Sequence, residues 1–452
     1  MNIVVVGCGK IGGAIVASLV EEGHNVIAVD NDPKVLSDIE NIYDVMTVCG
    51  SGTDCEVLKD AGIWETELLV AVTSSDELNM LSCFISKKMG AKHTIARIRK
   101  PEYNMTGLGF LKEQLDISLV LNPELLAAHE IYNIIKFPSA VKIETFSRRS
   151  FEIVEIIIRE DSPLADTRLA DIRNKFKAKF LVCDVQRGDA VCIPDGNFIL
   201  RTGDRIGITT PPSETGKMTK ALGLDRKQAK NIMLVGGSRI AYYLARVLGD
   251  SGHRVKIIEK DPQRCDELSE LLPKAVIING DGASQEVLTE EGLGSTDAFV
   301  ALTGMDEENI LISILAASRD VKTVIAKINR SELAEMARNL GLECVISPKE
   351  TVSSILSQYA RALENSMGSN VETLYKIMDG KAEVLEFNVS SDFGYIRVPL
   401  SELKIKENIL VAGIFRNGSS VLPTGSDFIL PGDRVIVVTA GHRLNDLSDM
   451  FR

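Results

Sequence analysis

The chain has 452 residues, 45% apolar and 25% charged, the balance of a globular protein, which excludes disordered and fibrous classes. At ~100–200 residues per domain, this length predicts two to four domains, each able to bury its own core. The formal charge of −12 argues against a sequence-independent nucleic-acid binder, whose cations must displace counterions from phosphates.

Met1-Asn2 runs straight into Ile3-Val-Val-Val, without a charged leader or cleavage site. No apolar stretch approaches the ~20 residues of a membrane-spanning helix, so a cytoplasmic chain is expected. Strands are predicted over 2–6, 25–29, 45–48, 68–72, 94–98 and 117–121, rich in Val, Ile and Leu without polar alternation. Such strands are covered on both faces. Helical periodicity lies between them, as at 11–22 and 54–61, giving the βαβ pattern of a parallel sheet. From about 140 to 218 come short β runs joined by Gly, Asp, Asn and Pro, the pattern of a small α+β domain. Leu222–Lys230, polar with three cations, is expected to be a linker.

The chain then repeats itself. Ile3-Val-Val-Val-Gly-Cys-Gly-Lys-Ile-Gly12 recurs as Ile232-Met-Leu-Val-Gly-Gly-Ser-Arg-Ile-Ala241, 229 positions on. Asp30-Asn-Asp32-Pro33 recurs as Glu259-Lys-Asp261-Pro262, and Ala71-Val-Thr73-Ser-Ser-Asp76-Glu-Leu-Asn79 as Ala301-Leu-Thr303-Gly-Met-Asp306-Glu-Glu-Asn309. Pro194-Asp-Gly196 with Gly203-Asp-Arg205 matches Pro423-Thr-Gly425 with Gly432-Asp-Arg434. A period this long indicates tandem duplication of whole domains, not a solenoid.

Gly7-Cys8-Gly9-Lys10-Ile11-Gly12 leaves a strand and opens a helix, the context in which this pattern cradles a diphosphate. Gly7 permits the tight turn, Gly9 a close backbone approach, and Gly12 helix-on-strand packing. The anion then sits on unpaired amides at the helix N-terminus. Asp30 ends the next strand, 18 residues after Gly12, where a carboxylate accepts from a ribose diol and repels a 2′-phosphate. NAD(H), or another adenine nucleotide with a free ribose diol, is therefore expected over NADP, with Lys34 facing solvent. Ser51, in Gly50-Ser51-Gly52-Thr53, falls on the adenine side, and Thr53 or Asp54 suits a helix cap. Thr73, Ser74 and Arg97 fall at further strand ends. In the second copy, Gly236-Gly237-Ser238-Arg239-Ile240-Ala241, Glu259, Asp281 and Thr303 stand in corresponding places, with Ser238 narrowing the phosphate approach.

Other chemistry is sparse. His24 and His253 are repeat equivalents with an architectural look, and His93, His129 and His442 form no metal or catalytic spacing. The eight cysteines (Cys8, Cys49, Cys55, Cys83, Cys183, Cys192, Cys265 and Cys344) form no Cys-x-x-Cys pair and are expected to be buried thiols. Arg97-Ile-Arg99-Lys100 and Arg148-Arg149 are short basic patches, read as solvated faces. Glu124, after Asn122-Pro123, is expected as an acid in the first turn of a helix. An NAD-dependent dehydrogenase is the alternative from another class, but the tails offer no His–carboxylate pair as proton donor.

The glycine loop, Asp30, the Thr73-to-Asn79 motif, Ala96-Arg97-Ile98, their duplication and the Gly-Asp-Arg tails together resemble the TrkA family, the peripheral nucleotide-binding subunits of the Trk potassium-uptake system. The resemblance implies an α/β fold of two tandem Rossmann-like parallel-sheet domains, each followed by a small α+β regulatory domain. The boundaries read as 1–135 and 140–218 for the first copy, 229–360 and 370–452 for the second. It implies NAD(H), with ATP and ADP as further candidates, at Gly7 to Gly12, Asp30, Ser51, Thr73, Ser74 and Arg97, and at Gly236 to Ile240, Glu259 and Thr303. It further implies a non-enzymatic cytoplasmic protein, peripheral on the inner membrane face, assembled as a homo-oligomeric ring on an integral membrane potassium-translocating subunit. A regulator of another channel or exchanger is the remaining alternative.

Overall fold

The structure is a computed structural model. It describes every residue except 106–107, 138–139, 147–150, 177, 225–228 and 367–370. The first sheet holds β1 (Asn2–Val6), β2 (Asn25–Asp30), β3 (Met46–Cys49), β4 (Leu68–Ala71), β5 (His93–Arg97) and β6 (Leu119–Leu121), all parallel, in the order β3-β2-β1-β4-β5-β6. The order reverses between β1 and β4, and the carboxyl ends of strands at such a reversal form a crevice.

An antiparallel sheet follows: β7 (Lys142–Phe146), β8 (Phe151–Ile157), β9 (Leu181–Arg187), β10 (Ala190–Cys192) and β11 (Arg205–Thr210), in the order β10-β9-β11-β8-β7. The second parallel sheet comprises β12 (Asn231–Val235), β13 (Arg254–Glu259), β14 (Ala275–Asn279), β15 (Ala298–Ala301), β16 (Thr323–Lys327) and β17 (Cys344–Ile346). Its order, β14-β13-β12-β15-β16-β17, repeats the first. The last sheet orders its strands β18-β19-β22-β20-β21, from β18 (Val371–Ile377), β19 (Ala382–Asn388), β20 (Ile409–Arg416), β21 (Ser419–Val421) and β22 (Arg434–Thr439). The α/β architecture expected from the strand pattern is the one observed.

The helices that leave each parallel sheet are exchanged. The first crossover helix, Pro123–Lys136, sends Ala127, Ala128, Ile131, Ile134 and Ile135 into the core of the second parallel sheet. The second, Pro348–Ser366, sends Val352, Leu356 and Ala360 into the core of the first. Each parallel sheet is thus completed by apolar area from the other copy, and at ~25 cal/mol per Å² of apolar area that burial favours association of the halves. Polar bonds pin the exchange: Tyr243 Oη donates to the Arg99 carbonyl (2.7 Å) and accepts from Asn122 Nδ2 (3.1 Å). The antiparallel sheets share a core as well, built from Phe151, Ile153 and Cys183 of one and Ile377, Val384, Ile436 and Val438 of the other.

Three sequence expectations need correction. Arg97 and Ile98, expected on a solvated face, are buried at the end of β5. Cys49 and Cys55 are exposed and Cys192 is half-buried, because Cys49 ends an edge strand, Cys55 opens a surface helix and Cys192 lies on another edge strand. Leu222 of the expected linker is buried in the core of the first antiparallel sheet. Residues 225–228 of that linker, and Arg148-Arg149, lie outside the described residues.

Glu22, at the end of the helix Lys10–Glu21, is buried between Arg361 of the second crossover helix and Lys376 of β18. Burial alone would raise its carboxyl; the two cations outweigh it and hold the group below the usual carboxylate range. Arg361→Met leaves this carboxylate without its main partner and should cost about 3 kcal/mol in denaturant unfolding. The double variant with Glu22→Gln should recover part of that loss.

Asp184 is fully buried in β9 and accepts from the Gly207 amide (2.8 Å). Burial, reinforced by the Glu155 carboxylate, pushes its carboxyl up to about 8, against ~3.9 in an unfolded chain. The fold therefore favours the protonated acid; this contribution is whole below about pH 4 and lost as pH rises through about 8. Asp184→Asn should flatten the decline of stability across that window, measured by urea unfolding at a series of pH values.

Candidate functional site

Above the carboxyl ends of β1, β2 and β4 lies a cavity of about 620 Å³. Its floor is the turn from β1 into the helix Lys10–Glu21. Gly7 has φ +90°, and a Cβ there would lie 2.6 Å from the Thr73 amide nitrogen; one on Gly12 would lie 1.8 Å from the Gly7 carbonyl oxygen. Only glycine fits at these two positions. Gly9 differs: nothing lies within 4 Å of its would-be Cβ, so it borders open space at the point where a ligand would approach the backbone.

Gly9 is the helix N-cap, and no side chain bonds the first-turn amides. Unpaired amides and the helix dipole form an anion site. Asp30 closes the loop from the next strand: Oδ2 accepts from the Cys8 amide (2.6 Å) and Oδ1 from the Asp32 amide (3.0 Å). Lys34 is exposed, as expected.

Gly7, Gly9, Lys10, Ile11, Gly12, Asp30, Ser51, Thr73, Ser74 and Arg97 all line this one cavity. Cys8 does not; its side chain is buried beneath the loop, and burial with the Asp30 charge pushes the thiol up to about 12. Thr73 lines the site with its hydroxyl already committed to Asn79 Oδ1 (2.7 Å). Ser51 Oγ pairs with Thr53 Oγ1 (2.9 Å), while Asp54 is the cap of the following helix, accepting from the Glu56 amide (2.9 Å).

The motif Thr73 to Asn79 is a bracket across the site. Asn79 Nδ2 donates to the Arg97 carbonyl (2.9 Å), and Asp76 Oδ2 accepts from the Arg99 and Lys100 amides (2.8 Å each). These bonds hold the end of β5 against the end of β4, and Asn309 and Asp306 do the same for β16 and β15. Arg97 is held there 8% exposed, with Nη2 on the Thr73 carbonyl and Nε unpartnered. Burial, then the like charge of Arg99, lowers its guanidinium to about 10.

The second loop is built differently. Gly236 keeps the turn at φ +98°, and Glu259 accepts from the Gly237 amide (2.5 Å). Ser238, however, turns its hydroxyl onto its own helix, accepting from the Ala241 amide (3.4 Å), and Arg264 donates to the Gly237 carbonyl (2.7 Å). Arg239 is exposed, Ile240 is buried in the core, and Thr303 bonds Asn309 Oδ1 through its amide (2.9 Å). Lys327, the counterpart of Arg97, donates to the Thr303 carbonyl (2.6 Å). The amide left open at the first loop is engaged internally at the second.

Sequence reasoning missed Asn329, Pro348 and Lys349 of the second copy, which line the first cavity. The signal was Ser347-Pro348 repeating Asn122-Pro123 at a helix start; only the exchange of crossover helices brings it to this site. Glu124 does sit in the first turn of its helix, with Oε2 buried and unpartnered. No group of three or more potential metal ligands occurs among the described residues.

A glycine turn at a sheet reversal, with an acid at the tip of the second strand, defines a Rossmann-like fold, here present twice in one chain. Family models match throughout: the TrkA-N domain at residues 3–123 and 232–348, and the TrkA-C domain at 153–223 and 384–452. The chain belongs to the TrkA family. It is 29% identical over 461 residues to "Trk system potassium uptake protein TrkA homolog 2" of Methanosarcina mazei, covering all of both chains. It is 27% identical over 459 residues to "Trk system potassium uptake protein TrkA" of Azorhizobium caulinodans, covering 100% of this chain and 99% of that one. Among solved structures, "GsuK channel bound to NAD" superposes with a TM-score of 0.64 at 15% identity, over 97% of this chain and 77% of that one, a likeness of fold. Among the described residues no helix is long and apolar enough to cross a membrane.

The glycines give a test of the local geometry. Gly12→Ala should destabilise the fold by about 3 kcal/mol or more, as overpacking against fixed backbone does. Gly9→Ala should unfold within about 1 kcal/mol of the parent in the same denaturant series.

Proposed function

We propose that this chain is a nucleotide-sensing regulatory subunit of a potassium-uptake system, binding NAD(H) or adenine nucleotides and acting on an integral membrane potassium-translocating subunit. It works from the cytoplasmic face as a homo-oligomeric ring and catalyses no reaction. The observation that carries the proposal is the first loop: an uncapped helix N-terminus over open space at Gly9, with Asp30 set behind it. That arrangement fits a dinucleotide, its diphosphate on the loop amides and the adenosine ribose diol on Asp30. Ser51 falls to the adenine side, and Thr73, Ser74 and Arg97 to the other half of the ligand.

The names of full-length relatives, which are potassium-uptake proteins, support the transport setting. A ligand shifts a conformational equilibrium only by its differential affinity for the two states. The site is lined by residues of both copies, so a ligand in it bears on their relative placement. Moving the copies changes the shape of the assembly, which is the lever on the pore.

The test is NADH titration of the full chain by calorimetry. Asp30→Ala should weaken binding about tenfold through loss of the diol acceptor. Gly9→Val, which fills the open space, should abolish binding without unfolding the chain. Unchanged NADH affinity in both variants would contradict the placement. Copurification with a membrane-embedded potassium-translocating protein tests the partner.

A further inference from the structure

Where the two antiparallel sheets meet, a row of side chains crosses three strands of the first. Glu155 of β8, Gly207 of β11 and Asp184 of β9 stand opposite one another in register. Along β8, Glu155 alternates onto the same face as Phe151 and Ile153, which enter the core shared with the second antiparallel sheet. Gly207 leaves room for the acids: a Cβ there would lie 2.4 Å from Asp184 Oδ1. Both carboxyls are buried. Glu155 Oε2 accepts from Arg205 Nε (2.9 Å), and its Oε1 accepts across the boundary from the Met378 amide, in the turn from β18 to β19 (3.2 Å). Asp184 Oδ1 holds the Gly207 amide, and Oδ2 has no partner.

Two carboxyls and one guanidinium therefore face one another out of water, and the row is neutral when it holds one proton. Glu155 and Arg205 are the charged groups that act on Asp184 from the neighbouring strands. The thiols of Cys183, on its own strand, and Cys192, on β10, titrate beside it. Across the boundary Met378, Val384 and Ile436 present apolar side chains, and the half-buried Tyr375 packs against the same core. The internal repeat shows that the extra acid is particular to the first sheet. The matching row in the second is Glu386, Ile436 and Gly413, with Arg434 on Glu386 (3.4 Å). Glycine is needed at 413, since a Cβ there would lie 2.9 Å from the Phe151 ring.

We propose that Asp184, with Gly207 and Glu155, is a proton-held latch between the two antiparallel sheets, and that parting of the sheets releases one proton from Asp184. In the closed state the carboxyl keeps its O–H bond, because a second carboxylate without a partner would lie in an apolar core. When the sheets part, water reaches the group, the O–H bond breaks, the proton passes to water and the carboxylate is solvated. The closed form is the one that holds the proton, so acid secures the latch and alkali frees it. The carboxyl titrates at about 8 when buried and at ~3.9 in water, so parting becomes about tenfold easier per pH unit between those limits and no easier above them. The latch lies away from the glycine-loop crevice and does not depend on nucleotide binding; it gives the chain a response to the surrounding pH.

The experiment is amide hydrogen exchange of the full chain, without nucleotide, from about pH 5 to about pH 9, with parent and Asp184→Asn compared at each pH so that the intrinsic pH dependence of exchange cancels. Amides of β8, β9 and β18 in the parent should lose protection relative to the variant by about tenfold per pH unit up to about pH 8, then run parallel. At about pH 8 they should be at least about tenfold less protected than those of β1 and β12, which marks a parting of the sheets short of global unfolding. Asp184→Ala, which has no proton to release, should follow Asp184→Asn. Glu155→Gln, which removes the like charge, should bring the levelling-off below about pH 7. An infrared band of a protonated carboxyl should be present in the parent at about pH 6 and missing from Asp184→Asn. A parent-to-variant ratio constant with pH, or absence of that band, would overturn the proton's role. Equal protection of β8, β9 and β1 would overturn the latch, since only global unfolding would then expose Asp184.

Discussion

The exchange of crossover helices is the contact on which the rest depends. Each parallel sheet has a core that its own helices leave incomplete, and further apolar surface arrives from the other copy: Ile131 and Ile135 in one direction, Val352 and Leu356 in the other. Because such a core cannot be left open to water, the two copies form one cooperative unit, not beads on a string. The interleaved helices and the bonds from Tyr243 and Arg361 fix the arrangement.

That constraint explains how a site read from one loop comes to be made by two copies. The glycine turn, Asp30 and the bracket from Asp76 and Asn79 are local and position the crevice within the first sheet. The far wall, Asn329 and Lys349, belongs to the partner half. The asymmetry between the loops has an equally local cause. Ser238 caps its own helix, and Tyr242 and Tyr243 stand where the first copy has Gly13 and Ala14. Gly13 and Ala14 line the larger cavity, whereas both tyrosines are buried.

Much of this was legible in the sequence. Strand runs such as 3–6 and 68–72 are uniformly apolar because both faces are covered, and the duplication showed in paired motifs. Gly7 and Gly12 revealed the turn because no other residue fits there. Three kinds of feature were not legible. Cys49 and Cys55 looked like core thiols, since composition does not reveal which strand lies at a sheet edge. Thr73 does line the cavity, but that its hydroxyl is held by Asn79 was not legible, a bond set by how the chain folds back from β4 into the next helix. Lys349 carried no local signal, since its place beside the first loop comes from tertiary exchange.

The interlocking of two unequal halves also bears on how the chain could diversify. Two separate identical subunits must change together, since any substitution appears on both sides of their interface. Fusion within one polypeptide guarantees pairing of unlike partners in fixed proportion. One loop can then diverge, Ser238 bonding its own helix and Arg264 the Gly237 carbonyl, while the other keeps its open floor. One chain thereby holds two unlike halves in a fixed pairing.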